Sequence, residues 1–236
     1  MNIKYILISL FFICGCRVNA MYYGIPLQLL PKEQRQTLLN KRLAKSIRNG
    51  NTVRALTLID EGAEVDGFDP KTLVQPLVTA VTWNRLNLIS ELVARGAKID
   101  ASFSMHKGKK HLQLVFHGTP LQYAASKNNV GAVERMLWTI PQSLIRSLPK
   151  TPPEDIVEKH LAFITDVLTK EVLECRGKIN EWSKARPIDH AVQASTSHCI
   201  SKKKHARIIA LLSPETIPNH KEHINANLNQ NRPKIE

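Results

Sequence analysis

Apolar residues recur with a helical period along much of the chain, in short segments that end at glycine. Two of these segments, residues 58–66 and 92–100, align position by position. Each has two apolar residues, one position that differs (Asp60 or Ala94), a charge, Gly-Ala, another charge, a β-branched residue and Asp. The glycines, Gly62 and Gly96, are 34 residues apart. Because glycine enters the left-handed conformation at low steric cost, both segments are expected to be helix ends. Ala63 and Ala97 are expected to pack at the bend. Asp66 and Asp100 are expected to form hydrogen bonds with the backbone of their own turns.

A helix start follows the first of these ends at Pro76-Leu77, and another follows the second end at Pro120-Leu121. Proline suits the first helical position, where no N–H is needed, and Thr119 is a good N-cap. The segment at 119–125 resembles the ankyrin motif Thr-Pro-Leu-His and its following alanines, with Gln122 where His is usual. Its residues are Thr119, Pro120, Leu121, Gln122, Tyr123, Ala124 and Ala125. Ankyrin repeats are about 33 residues long, and each is a turn with two helices.

The resemblance implies an all-α fold, an ankyrin-repeat solenoid of stacked helix pairs. We expect helix pairs near 39–49 and 53–61, 76–82 and 86–95, and 120–127 and 130–139, with a degenerate fourth pair within 186–212. Pro76 and Pro120 are further apart than the length of one ankyrin repeat. The extra residues fall in 102–116, where an ankyrin β-hairpin finger would lie. The predicted domains are a signal peptide (1–20), an N-terminal capping segment (21–38), ankyrin repeats (39–139), a helical insertion (140–185), a degenerate repeat (186–213) and a flexible basic tail (214–236).

The helical insertion has a capping box at 151–154, followed by a single apolar face. It is interpreted either as a cap on the solenoid or as an amphipathic helix that binds a partner.

The first 20 residues have the pattern of a secretory signal peptide: Lys4, an apolar stretch too short to span a bilayer, and small residues before Met21. Residues 13–16 also resemble a bacterial lipobox, in which Cys16 would be lipidated. The chain is therefore predicted to be secreted or periplasmic, or alternatively lipid-anchored. Cys175 and Cys199 then remain, either as a disulfide or as two buried thiols.

The chain has 236 residues, a formal net charge of +13 and 43% hydrophobic residues, which favours a folded protein with an acidic partner. Lysines cluster at 107–110 and 202–204. The leading interpretation is a scaffold that binds an acidic protein surface. The alternative is an electrostatic binder of anionic membrane or nucleic acid, although export disfavours nucleic acid.

The sequence contains no phosphate-binding glycine loop, no nucleophile motif and no zinc-ligand spacing. His190, His198, Cys199 and His205 form the best metal candidate, but their spacing fits no zinc pattern. We therefore predict no enzymatic activity, no cofactor, no metal and no small-molecule substrate. By the ankyrin resemblance, partner contacts fall on the fingers and short inner helices: Phe68, Lys71, Phe103, His106, Lys107, Lys109, Lys110, His111, Gln122 and Tyr123.

Overall fold

The computed structural model describes residues 30–107, 113–147, 153–169, 187–188 and 202–231. The chain divides into the units Met1–Gln36, of which residues 30–36 are described, and Thr37–Glu236. The described residues are mostly helical, with one two-stranded antiparallel hairpin. The elements are α1 (Lys32–Asn49), α2 (Thr52–Asp60), α3 (Pro76–Thr82), α4 (Leu86–Ala94), β1 (Phe103–Lys107), β2 (Gln113–Gly118), α5 (Pro120–Ser126), α6 (Val130–Trp138), α7 (Gln142–Ser147), α8 (Pro153–Thr169), α9 (Lys202–Leu212), a 3-10 turn (Pro214–Thr216) and α10 (Ile217–Asn231).

Short turns join α1 to α2, α3 to α4 and α5 to α6, and the three turns have the same backbone geometry. Gly50, Asn84 and Asn128 occupy equivalent positions, with φ of 73°, 51° and 53°. Each donates its N–H to the carbonyl three residues earlier, at 2.9–3.1 Å, and the next residue donates to the carbonyl five residues earlier. Glycine and asparagine are the residues that adopt this left-handed conformation most readily.

The ends of α2 and α4 also match. Gly62 and Gly96 have φ of 102° and 96°, and each donates its N–H to the carbonyl three residues earlier at 2.9 Å. Ala63 and Ala97 follow, both buried. The expectation that Asp66 bonds within its own turn is wrong, because its Oδ1 accepts from the N–H of Lys98, in the turn after α4, at 3.1 Å.

The helices pack both within and between these pairs. Helix α3 packs against α4, and α5 packs against α6. The second helices contact one another in sequence order, α2 with α4, α4 with α6 and α6 with α9, and α3 also contacts α5. The fully buried leucines of this interior are Leu43, Leu58, Leu77, Leu88, Leu92, Leu121 and Leu137.

Helices α2 to α6 begin and end within one residue of the ranges expected from sequence. Helix α1 begins at Lys32, earlier than the start that was expected near residue 39. The sequence prediction missed its first turns because they are polar and lack the apolar period. In the insertion, α8 follows the predicted capping signal and buries Ile156, Val157, Ile164 and Leu168.

The prediction of a flexible tail is wrong for residues 214–231. Helix α10 packs against α6 and α8 through Ile217, His220, Ile224 and Leu228, all buried. These residues recur at steps of three or four, which is a helical period. The abundant asparagines and Pro218 concealed it, although proline is tolerated in a first turn.

Several predicted features lie outside the described residues: the signal peptide, Cys16, the cysteines Cys175 and Cys199, and the histidines His190 and His198. Among the described residues, no helix is both long enough and apolar enough to cross a bilayer.

Candidate partner-binding surface

The loop between α2 and α3 is built around one buried carboxylate. Asp69 is 1% exposed, and its Oδ2 accepts from Arg48 Nη1 at 2.8 Å and from the Thr72 hydroxyl at 3.0 Å. Its Oδ1 accepts from the N–H of Lys71 at 3.1 Å. The backbone of Asp69 also closes the loop, accepting from Leu73 N at 2.7 Å and donating to Val74 O at 3.1 Å. A loop tied at this many points is held in one conformation.

This rigid loop presents apolar side chains to solvent. Phe68 is 49% exposed and Leu73 is 60% exposed, with the exposed Lys71 between them. Leu73 has φ of 56°, a conformation that leucine adopts only where the surrounding structure enforces it. We call Phe68, Lys71 and Leu73 the first-loop surface. Two large apolar side chains therefore face solvent on a loop that its own hydrogen bonds hold in place.

The hairpin β1–β2 forms where a finger was expected, and its base packs on α5. Phe103 pairs with Gly118 at this end, and the register shifts between Met105 and His106. The rings of Phe103 and Phe116 are 5.4 Å apart, and that of Phe116 lies 5.0 Å from Tyr123. This aromatic cluster attaches the hairpin to the helix that follows it.

Three predicted contact residues are therefore corrected, because Phe103, Gln122 and Tyr123 are buried and cannot meet a partner. Phe103 and Tyr123 belong to the aromatic cluster. Gln122 is 0% exposed and completes a capping box: its Oε1 accepts from Thr119 N at 2.7 Å, and its N–H donates to Thr119 Oγ1 at 3.2 Å. The inner-helix residues 77–81 are buried as well. Sequence reasoning missed this because the period shows which residues are apolar, not what covers them.

The remaining predicted contacts are located only in part. Lys109, Lys110 and His111 lie outside the described residues, and of His106 and Lys107 only the backbone is described. Of the predicted contact residues, Phe68 and Lys71 are therefore exposed on one described loop. Leu73, which sequence analysis did not single out, is exposed on the same loop.

A groove of about 620 Å³ runs along the turns that precede α4 and α6. Its lining includes Asn84, Asn128 and two exposed lysines, Lys127 and Lys204. The Nδ2 of Asn129 donates to Asn84 Oδ1 at 3.2 Å, which links the two turns. Trp83 is 51% exposed and lies in the chain between Thr82 and Asn84, both of which line the groove. Apolar side chains, including Val81, Leu86 and Val130, line the same groove beside these polar and basic groups.

Within the part of the chain that the structure describes, no group of three or more His, Cys, Asp or Glu side chains is arranged to hold a metal ion. No protein-family model matches the chain, and no curated protein matches it.

Proposed function

We propose that this protein is a non-enzymatic binding module of stacked ankyrin-type repeats, which recognises an acidic protein surface through its first-loop surface. The observation that carries the proposal is the equivalence of the turns. Gly50, Asn84 and Asn128 make the same hydrogen bonds, as do Gly62 and Gly96. The helices that follow the turns contact one another in order. Units that each touch only their neighbours are the defining property of a repeat array.

The hydrogen bonding of Gln122 also supports the ankyrin resemblance. Gln122 stands where the family motif has His, and its side chain bonds back to the N–H of Thr119 at the helix start. The motif is therefore altered in residue type while its position still serves to cap the helix.

The first-loop surface supports the choice of partner. Phe68 and Leu73 offer apolar area that a partner can bury, and Lys71 offers a positive charge beside it. The net charge of +13 would steer an acidic surface toward the protein and raise the association rate. Because the Asp69 network already fixes the loop, binding pays little ordering entropy. The signal-peptide pattern of residues 1–20 leads us to propose that the protein is exported and that the partner is met outside the cytoplasm.

Site-specific photo-crosslinking in the native cell tests this function. A photoreactive phenylalanine analogue replaces Phe68 in one version, and in the control it replaces Val53, which is 77% exposed on α2. We expect position 68 to crosslink one defined protein that position 53 does not capture.

Purified partner should then bind the wild-type chain and lose at least 10-fold in affinity for the triple variant F68S/K71E/L73N. The matched variant V53S/K41E makes comparable changes at exposed positions and should bind normally. Equal crosslinking at both positions, or equal losses in both variants, would contradict the proposal.

The lysines beside the 620 Å³ groove favour one second candidate, electrostatic binding of an anionic membrane or nucleic acid. Lys127 and Lys204 line the groove, and Lys203 is the exposed neighbour of Lys204 in the chain. Binding of that kind weakens steeply with salt, because counterions are released from the polyanion. A salt titration against vesicles containing 30% phosphatidylserine, and against a duplex DNA of arbitrary sequence, separates the two functions. A steep loss of binding to either probe favours this candidate, and no binding at low salt removes it.

A further inference from the structure

The C-terminal end of α6 is held by two histidines that come from two different helices. His160 of α8 lies with its Nε2 3.0 Å from the carbonyl oxygen of Leu137. His220 of α10 lies with its Nδ1 2.8 Å from Nε1 of Trp138, the next residue of α6. The Nε2 of His220 is 3.1 Å from the carbonyl oxygen of Leu211, at the end of α9. Two imidazole rings thus bond α8 and α10 to α6, and one of them also bonds α10 to α9.

These bonds fix the protonation state of His220. The indole N–H of Trp138 can only donate, so Nδ1 of His220 must accept and carries no proton. Its Nε2 faces a carbonyl oxygen and must donate. The ring is therefore neutral, with its proton on Nε2.

His160 is neutral for a related reason. Its Nε2 donates to Leu137, and among the described residues its Nδ1 has no hydrogen-bond partner although the side chain is 1% exposed. A proton on that nitrogen would be a buried donor without an acceptor, on a buried cation.

We propose that His160 and His220 form an acid-sensitive latch, which releases helices α8 and α10 from α6 when the solution becomes mildly acidic. A proton on Nδ1 of His220 would face the N–H of Trp138 at 2.8 Å, so two donors would meet and the bond would be lost. A proton on His160 would charge the interior between α8 and α6. In the released state both rings reach water and take up protons freely, so acid favours release.

The charged groups on the packed elements do not offset this effect. Glu134 and Arg135 lie on α6, and Arg207 of α9 pairs with Glu134. Glu158 and Lys159 lie on α8, where Glu158 pairs with Lys221 of α10 at 3.8 Å. Beside the groove that His160 lines, the turn after α4 carries Lys98 and Asp100. The 3-10 turn carries Glu215, and α10 carries Glu222 and His223. Glu134 and Glu158 thus each have a cationic partner other than His160 and His220.

The pKa values of both histidines are lowered, in agreement with the neutral rings that the hydrogen bonds require. Burial lowers the pKa of His160 from 6.5 to about 4, against a smaller opposing effect of the Leu137 hydrogen bond. Burial also lowers the pKa of His220, which the bond to Leu211 partly opposes and which the charge of His223 reinforces. A group that binds protons more tightly when released makes release proton-driven. His160 alone should raise the equilibrium constant for release about 25-fold between pH 7.4 and pH 5.

Release would uncover an apolar surface. The side chains of Leu137, Val157, Ile164, Leu168, Ile224 and Leu228 are all at most 2% exposed. The α3–α6 pairs hold no buried histidine among the described residues, so they should stay folded while α8 and α10 detach. Acid would therefore convert a closed C-terminal layer into an exposed apolar face.

Hydrogen–deuterium exchange on the full chain tests the latch, with intrinsic rates corrected for pH. At pH 5 we expect protection of α8 and α10 to fall at least 30-fold relative to pH 7.4, while α3 and α4 change less than threefold. The H160Q/H220Q variant keeps a donor for Leu137, an acceptor for Trp138 and a donor for Leu211, but its amides do not titrate. Its α8 and α10 should lose less than threefold in protection. The control variant H117Q, changed on β2, an element outside the latch, should respond as the wild type does.

An equal fall in all helices, or an unchanged pH response in the glutamine variant, would overturn the proposal. Should that variant not fold at pH 7.4, the wild-type chain still decides, through NMR titration of its histidine resonances. The resonances of His160 and His220 should shift together with the loss of α10 protection. Titration of either ring with α10 still protected would refute the latch.

Discussion

Replacing Asp69 by alanine should destabilise the protein and loosen the first-loop surface. The side chain of Asp69 is fully buried, and its carboxylate receives three hydrogen bonds, from Arg48, Lys71 and Thr72. A hydrogen bond contributes about 1 kcal/mol net, and about 1.5–3 kcal/mol when one partner is charged. Arg48 is 28% exposed in its side chain and can regain water, which reduces its share of the loss. Relief of the left-handed Leu73 returns about 1 kcal/mol.

Together these contributions give a loss of roughly 3 kcal/mol in the free energy of unfolding. The variant R48A leaves the buried carboxylate without its cation and should cost about 3–5 kcal/mol. The assay is urea unfolding followed by far-UV circular dichroism, with K41A as the control at an exposed position of the same helix. A loss below 1 kcal/mol for D69A, or an R48A no worse than K41A, would refute the account of this loop.

Three further predictions follow from other contacts. The variant G96A should lose about 1–2 kcal/mol of stability by urea unfolding, because φ is 96° while the added methyl group meets nothing within 4 Å. The variant Q122A should cost about 1–2 kcal/mol, since it leaves the buried Thr119 N–H unpaired, and thermal unfolding measures it. Because the pKa of His160 is lowered, its protonation should reduce the free energy of unfolding of the wild type by roughly 3 kcal/mol as pH falls from 6.5 to 4, and H160Q should lose less.

Much of the helical organisation was accessible from sequence, because the signals are local. Glycine at a helix end and proline at a helix start act through their own backbone, so Gly62, Gly96 and Pro120 located their helices to within a residue. The capping signal at 151–154 and the three-to-four periodicity likewise indicated α8, but they did not predict where it ends. Where the local signal was weak, as in the polar first turns of α1 and the asparagine-rich α10, the boundary or the helix was missed.

The candidate surface was less accessible, because exposure depends on what packs over a residue. Phe68 and Phe103 look alike in sequence, yet the first is exposed and the second is covered by Phe116 and Tyr123. Gln122 was expected at a partner interface on family grounds, but its amide is used inside the fold. The anchoring role of Asp69 could not be foreseen either, since Arg48 lies 21 residues away in the chain.

The most direct test of the repeat account is an internal deletion that respects its period. Removing residues 51–84 takes out one 34-residue unit and joins Gly50 to Arg85, which has the same turn geometry as Asn51, the residue that it replaces after Gly50. The account predicts a chain that remains helical and unfolds cooperatively in urea, although with lower stability. Removing only residues 68–84, half as much sequence, leaves the helices out of phase and should abolish cooperative unfolding. An unfolded product from the longer deletion, together with a folded one from the shorter, would contradict the claim that these helix pairs are repeats.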